Sequence, residues 1–277
     1  MPNTNLPEYL YYYTDVDTLA LILKNHTIRL NSLDKMDDKQ EQMSTDLQNF
    51  GKFVFVSCWT EEQIESIPMW RMYTPKGKGV RIKLRSNPFV AYDVDVLNFA
   101  KNIGAQSVQG SGQLDFKLII PTEKLLDKNY AVSNYTHNSQ LLNIEYTNDN
   151  NLLNPDVKYT TEEGTIVELG KLGKYKNLYW KFQKEWRYRL LIFPISINRY
   201  LQRNYSELIK FVSEAQKGIS ALPFDYYDLV IRDECFEDMS IMLAPDITES
   251  SKTFVNLLVQ EYNPSCELIS SDLTSLI

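Results

Sequence analysis

The run over residues 182–193 constrains this chain more than any other stretch. Trp186, Tyr188, Leu190 and Ile192 fall on one side of it, and Glu185, Arg187, Arg189 and Leu191 on the other. A period of two is the signature of a β-strand, and one fully apolar side demands a packed layer against it. Residues 53–59 predict a second buried strand, with Phe53, Phe55, Ser57 and Trp59 opposite Val54, Val56 and Cys58. Residues 79–84 predict a third. Shorter strands are expected at 9–13, 27–31, 229–232 and 267–269. Between 9–13 and 27–31, Val16, Leu19, Ile22 and Leu23 form an apolar helical face. Thr14 stands at its N-cap position with Asp17 three residues on, and Asn25 is its stop. Two later helices are expected: 201–217, capped by Ser206 and presenting Leu208, Phe211, Val212 and Ala215, and 248–262, presenting Phe254, Leu257 and Leu258. Strands and helices mix without regular alternation, which predicts an α+β fold.

The 277 residues carry 29 Lys and Arg against 36 Asp and Glu, a net charge of −7. Hydrophobic residues make up 43% and charged residues 23%, so a packed core is expected and disorder is not. With no repeat and no Pro- or Gly/Ser-rich linker, the chain reads as a single domain over 1–277, with loop insertions near 100–115 and 147–164. No apolar run approaches the roughly 18 residues a membrane helix needs. The polar N-terminus lacks an export pattern, and the cysteines are three and scattered (Cys58, Cys235, Cys266). The expectation is a cytoplasmic protein without a disulfide framework or membrane contact. The two histidines, His26 and His137, form no close-spaced pair with cysteine, so no metal is expected. The acidic balance disfavours broad nucleic-acid binding.

Few residues offer chemistry. Asp34, Asp37, Asp38 and Glu41 lack the spacing of a calcium loop and read as a solvated turn or as a pocket edge. Cys58 lies mid-strand among apolar residues and reads as packing. There is no nucleophile elbow, and Lys76–Gly79 reads as a turn, not a phosphate loop. Glu185 stands out, because glutamate is depleted in strands. It shares a face with Arg187, which leaves two readings: an ion pair, or a carboxylate held in a cleft to stabilise positive charge. Tyr11, Tyr12 and Tyr13, and Trp70 and Tyr73 after Pro68-Met69, read as core or as a pocket wall. Arg71, Lys76, Lys78, Arg81, Lys83 and Arg85 form a positive run, read as a solvated face or as a nucleic-acid groove.

The succession of short motifs resembles a known family. Leu10-Tyr11-Tyr12-Tyr13-Thr14, Leu21 to Asn25, Leu30-Asn31-Ser32 and Asp37-Asp38 with Glu41 are similar to the N-terminal pattern of domain of unknown function 2971, a bacterial family. Phe55 to Glu61, Pro68 to Tyr73 and Gly77 to Val80 resemble its middle, and Lys184-Glu185-Trp186-Arg187 its late signature. That family is grouped with the ADP-ribosyltransferase-like fold. The resemblance therefore implies a split, mostly antiparallel sheet with flanking helices and NAD as substrate in the cleft. It implies transfer of ADP-ribose to a macromolecular acceptor, protein or nucleic acid, in a toxin or phage-defence setting. Glu185 would be the catalytic acid. Tyr12 would stand where the family contacts the adenosine ribose, with Tyr13 and Thr14 completing that motif. Ser57 would meet the nicotinamide-side ribose, Arg187 would help bind NAD, and Trp70 or Tyr73 would wall the nicotinamide.

Two positions depart from the family pattern: Tyr12 replaces a histidine and Asp37 an asparagine. Either departure fits an alternative, a catalytically retired NAD-binding or nucleotide-binding sensor or interaction module on the same fold. The catalytic reading requires Glu185 to face a cavity and to be free of a permanent cationic neighbour.

Overall fold

Strand β1 (Tyr9–Asp15) runs through the middle of a ten-stranded sheet. The computed structural model describes residues 6–93, 117–125, 129–133, 141–161, 164–195, 205–219, 221–274 and 276. The other strands of this sheet include β2 (Thr27–Ser32), β3 (Val54–Thr60), β4 (Gly79–Arg85), β5 (Ala131–Ser133) and β6 (Leu141–Asn143). Two small pairs stand apart, β7 (Glu145–Thr147) with β10 (Tyr175–Asn177) and β8 (Lys158–Thr161) with β9 (Gly164–Val167). The long strand β11 (Glu185–Phe193) is followed by β12 (Tyr226–Val230), β13 (Ser240–Leu243) and β14 (Glu267–Ser270). The main order is β12–β2–β3–β1–β4–β13–β14, with β11 also on β3 and β5 and β6 on β11. Among the described residues, pairing within the large sheet is antiparallel except between β13 and β14, and the separate pair β7 and β10 is parallel. The fold is α+β.

Helix α1 (Val16–Asn25) buries Val16, Leu19, Ile22 and Leu23, the face its spacing predicts. Its N-cap is Asp15, whose carboxylate accepts from the Thr18 amide at 2.6 Å, and not Thr14. The reason is that β1 continues through Asp15, so Thr14 is still extended. Helix α2 (Ile67–Tyr73) is capped by Ser66 with Pro68 in its first turn. Helix α3 (Tyr205–Gln216) contains Ser206 instead of being capped by it. Helix α4 (Glu249–Tyr262) is capped by Thr248. It packs on α1 through a stripe of Ser251, Val255, Leu258 and Val259, which leaves Phe254 and Leu257 exposed, against expectation.

The core lies on both sides of the sheet. One cluster joins Leu10, Trp59, Trp186, Tyr188, Leu190 and Ile192 to the buried face of α1. The other joins Val54, Val56 and Leu191 to Phe50, Phe53 and Phe211. Each fully buried aliphatic side chain contributes about 1.5–3 kcal/mol, so these layers fix the register of β3 against β11. The stretch 147–164, expected as a loop, carries a helical turn (Asn150–Leu153) and strand β8 of a hairpin. The expected insertion near 100–115 falls outside the described residues. Among the described residues no helix is long and apolar enough to cross a membrane.

Candidate functional site

The sheet forks at β3. One edge of β3 pairs with β11 along its whole length, from Val54 opposite Leu191 to Thr60 opposite Glu185. Its other edge is shared. Strand β2 takes Phe55 and Val56, whereas β1 reaches only Thr60. Ser57, Cys58 and Trp59 therefore lie where β1 and β2 part. A cavity of about 270 Å³ opens there, just under the roughly 300 Å³ at which small-molecule clefts begin.

Glu185 begins β11 on the cleft side and is 3% exposed. One carboxylate oxygen accepts from Nε of Arg187, two residues along on the same face. The other accepts from Lys176 Nζ at 2.7 Å. Arg187 is fully buried, and its Nη1 lies 2.6 Å from Glu41 and 3.2 Å from the Gly173 carbonyl oxygen, to which it donates. One guanidinium thus bridges two carboxylates. Removal from water raises the pKa of Glu185, but the charges of Arg187 and Lys176 outweigh it and hold the group at about 2. Burial dominates at Glu41 and leaves its pKa raised despite Arg187. The Cys58 thiol is pushed up by burial and by Glu185, which agrees with packing and not with a nucleophile.

The side chains expected at the site divide. Tyr12, Tyr13, Thr14, Ser57, Tyr73, Glu185 and Arg187 all line the cleft. Several are already committed to partners. Tyr12 stacks on Trp59 with ring centroids 5.0 Å apart, and burial raises its pKa. The Ser57 hydroxyl accepts from Trp59 Nε1 at 3.0 Å. The Tyr13 hydroxyl accepts from the Ser66 amide at 3.0 Å. Trp70 does not line the cleft. It packs edge-on to Tyr13 and donates to Glu65 at 2.9 Å, because α2 turns it away from the fork.

Readings left open from the sequence now resolve, and for Asp37, Asp38 and Glu41 the pocket-edge alternative is the one that holds. Glu41, read as part of a solvated turn or pocket edge, is 4% exposed and locked to Arg187. Asp37 and Asp38 line the cleft. In the positive run, Arg81 is buried, its guanidinium 4.7 Å from the Tyr11 ring, and Lys83 lies 3.9 Å from the Tyr9 ring. The antiparallel register of β1 on β4 places each cation beside a tyrosine.

Lys176, Trp180 and Gln183 also line the cleft and were not singled out from sequence. All three precede Glu185 within ten residues. The available signal was a lysine between Tyr175 and Asn177 in a three-residue strand, too short for periodicity to register.

The fold and site describe an α+β protein with a charged, aromatic-walled cleft at a fork in its sheet. A family model described as a protein of unknown function (DUF2971) matches residues 69–188, a span that holds Tyr73, Lys176, Glu185 and Arg187. This match supports the family read from the motifs. No curated protein and no solved structure matches the chain.

Proposed function

We propose that the cleft binds NAD and that the protein transfers ADP-ribose from it to a macromolecular acceptor. The observation that carries this reading is the convergence of Tyr12, Ser57 and an ionised Glu185 on one cleft. The forked sheet supports it as well, since a split sheet with its ligand at the fork is what the ADP-ribosyltransferase-like resemblance implies. In the reaction the bond from ribose C1′ to the nicotinamide nitrogen breaks and its electron pair leaves with nicotinamide. Positive charge builds on C1′ and the ring oxygen. An acceptor nucleophile then bonds to C1′ and loses its proton to solvent. Glu185 faces the cavity but is not free of cations, since both its oxygens are paired. It therefore meets only one of the two conditions of the catalytic reading and would stabilise that charge only once Lys176 draws back. Tyr73 and Tyr12 would exclude water and favour transfer over hydrolysis. A toxin or phage-defence role belongs to the same proposal.

A second reading is a nucleotide-binding module without catalysis. The observation favouring it is that both Glu185 oxygens are occupied by cations. Purified protein incubated with labelled NAD and candidate proteins or nucleic acids separates the two. Label transfer or nicotinamide release, lost in Glu185→Gln with folding intact, is the outcome expected of the enzyme. Binding without turnover would select the module, and no binding would remove both.

A further inference from the structure

Three groups that recognise cations converge on one point beside the cleft floor. The Glu185 carboxylate lies 2.7 Å and the Gln183 amide oxygen 2.9 Å from Lys176 Nζ. The indole face of Trp180 lies 5.2 Å away. Carboxylate, amide oxygen and aromatic face are the components from which proteins build cages for organic cations. Here the cage holds the protein's own ammonium. Gln183 is fixed for this task, since its amide nitrogen donates to the Tyr73 hydroxyl and turns the oxygen toward Lys176.

The occupant sits on a lightly anchored segment. Strand β10, which carries Lys176, has three residues and, among the described residues, pairs only with the three-residue β7. The turn that follows, Leu178–Gln183, presents Leu178, Tyr179 and Phe182 to solvent, Tyr179 at 87% exposure. It ends at Lys184, whose φ of 42° is in the left-handed region. Few buried apolar contacts and short pairing mark the parts of a fold that open most readily.

We infer that the cage formed by Glu185, Gln183 and Trp180 is a binding site for an organic cation of the pyridinium class, and that Lys176 occupies it as an internal surrogate until the ligand displaces it. A flat, weakly hydrated cation can lie on the indole and face the carboxylate. Without Lys176, the carboxyl groups of Glu185 and Glu41 share a single guanidinium, and a bound cation would compete with a proton on Glu41 to supply the missing positive charge. This inference rests on the NAD reading for the identity of the natural ligand, whose nicotinamide ring carries that charge. It also accounts for a Glu185 that is both ionised and masked.

The probe is the ring-N-methylated nicotinamide cation, with neutral nicotinamide as control. Lys176→Met is expected to bind the cation about tenfold or more tightly than the wild type, with no gain for nicotinamide. Equal or weaker binding overturns the inference. Lys176→Met combined with Glu185→Gln restores charge balance and is expected to lose the gain; a retained gain overturns it too. Should Lys176→Met fail to fold, the wild type supplies the measurement. Labelling of Lys176 by an amine-reactive reagent is expected to accelerate when the cation is added, and an unchanged rate overturns the displacement. Cation binding without any NAD turnover would sink the transfer reading and leave this one standing.

Discussion

Arg187 and Tyr188 are neighbours on one strand and meet opposite surroundings. Tyr188 points into the apolar layer, packs edge-on to Phe89 and Trp59, and has one polar obligation, a 3.1 Å hydrogen bond to the Ser86 carbonyl oxygen. Arg187 points to the fork and bridges Glu41 and Glu185. Both are fully buried. The difference teaches what each side can tolerate. The apolar side holds by many weak, replaceable contacts. The cleft side holds by a few charges, none of which can be removed alone without stranding another.

The largest effect is expected from breaking the charged side. Arg187→Met leaves two buried carboxylates without their shared cation and should cost roughly 3–5 kcal/mol in urea denaturation. A loss under about 1 kcal/mol would mean that the charged side tolerates removal of one member as readily as the apolar side does. On the apolar side, Leu190→Ala should cost about 2–5 kcal/mol through lost transfer energy and a residual cavity. Calorimetry that finds it neutral would mean the layer collapses freely.

The acid response sharpens the comparison. Glu185 titrates in the folded state at about 2, below its ordinary 4.5. Its contribution to stability is therefore present above about pH 4.5 and lost as pH falls toward 2. Glu41 is shifted upward, so its term has the opposite sign and fades as pH rises through its folded value. Glu185→Gln removes one of the two. The difference in urea midpoint between wild type and this variant should shrink across the window from 4.5 to 2, and a constant difference contradicts the assignment. Least affected will be Tyr188→Phe, at about 1 kcal/mol for one buried hydrogen bond. A thermal melt resolves it.

The two sides also differed in how far the sequence disclosed them. The alternation of Trp186, Tyr188, Leu190 and Ile192 named the apolar face in full, because burial of that face is what the pattern records. Glu185 was conspicuous as an acid in a strand, and the structure shows the ion-pair reading on a side chain that also lines the cleft. Lys176 and Glu41 were not legible as its partners. They lie in a three-residue strand and a single helical turn, where neither period has room to show. Trp70 misled because aromatic character says a ring will be covered without saying by what. In α4 the expected stripe held at Leu258 and failed at Phe254 and Leu257, which are as apolar as the residues that pack; the position of α1 decided between them.

The pairing of β3 with β11 has a consequence in time. Glu61 and Trp186, which meet across that boundary, are 125 residues apart. A ribosome adding about 5–20 residues per second needs roughly 6–25 s to cover that distance. For that interval the nascent chain holds an open strand edge and one wall of the cleft without the other. Whatever the pocket does, an unfinished polypeptide cannot do it, and the open edge is the place where a chaperone would be needed.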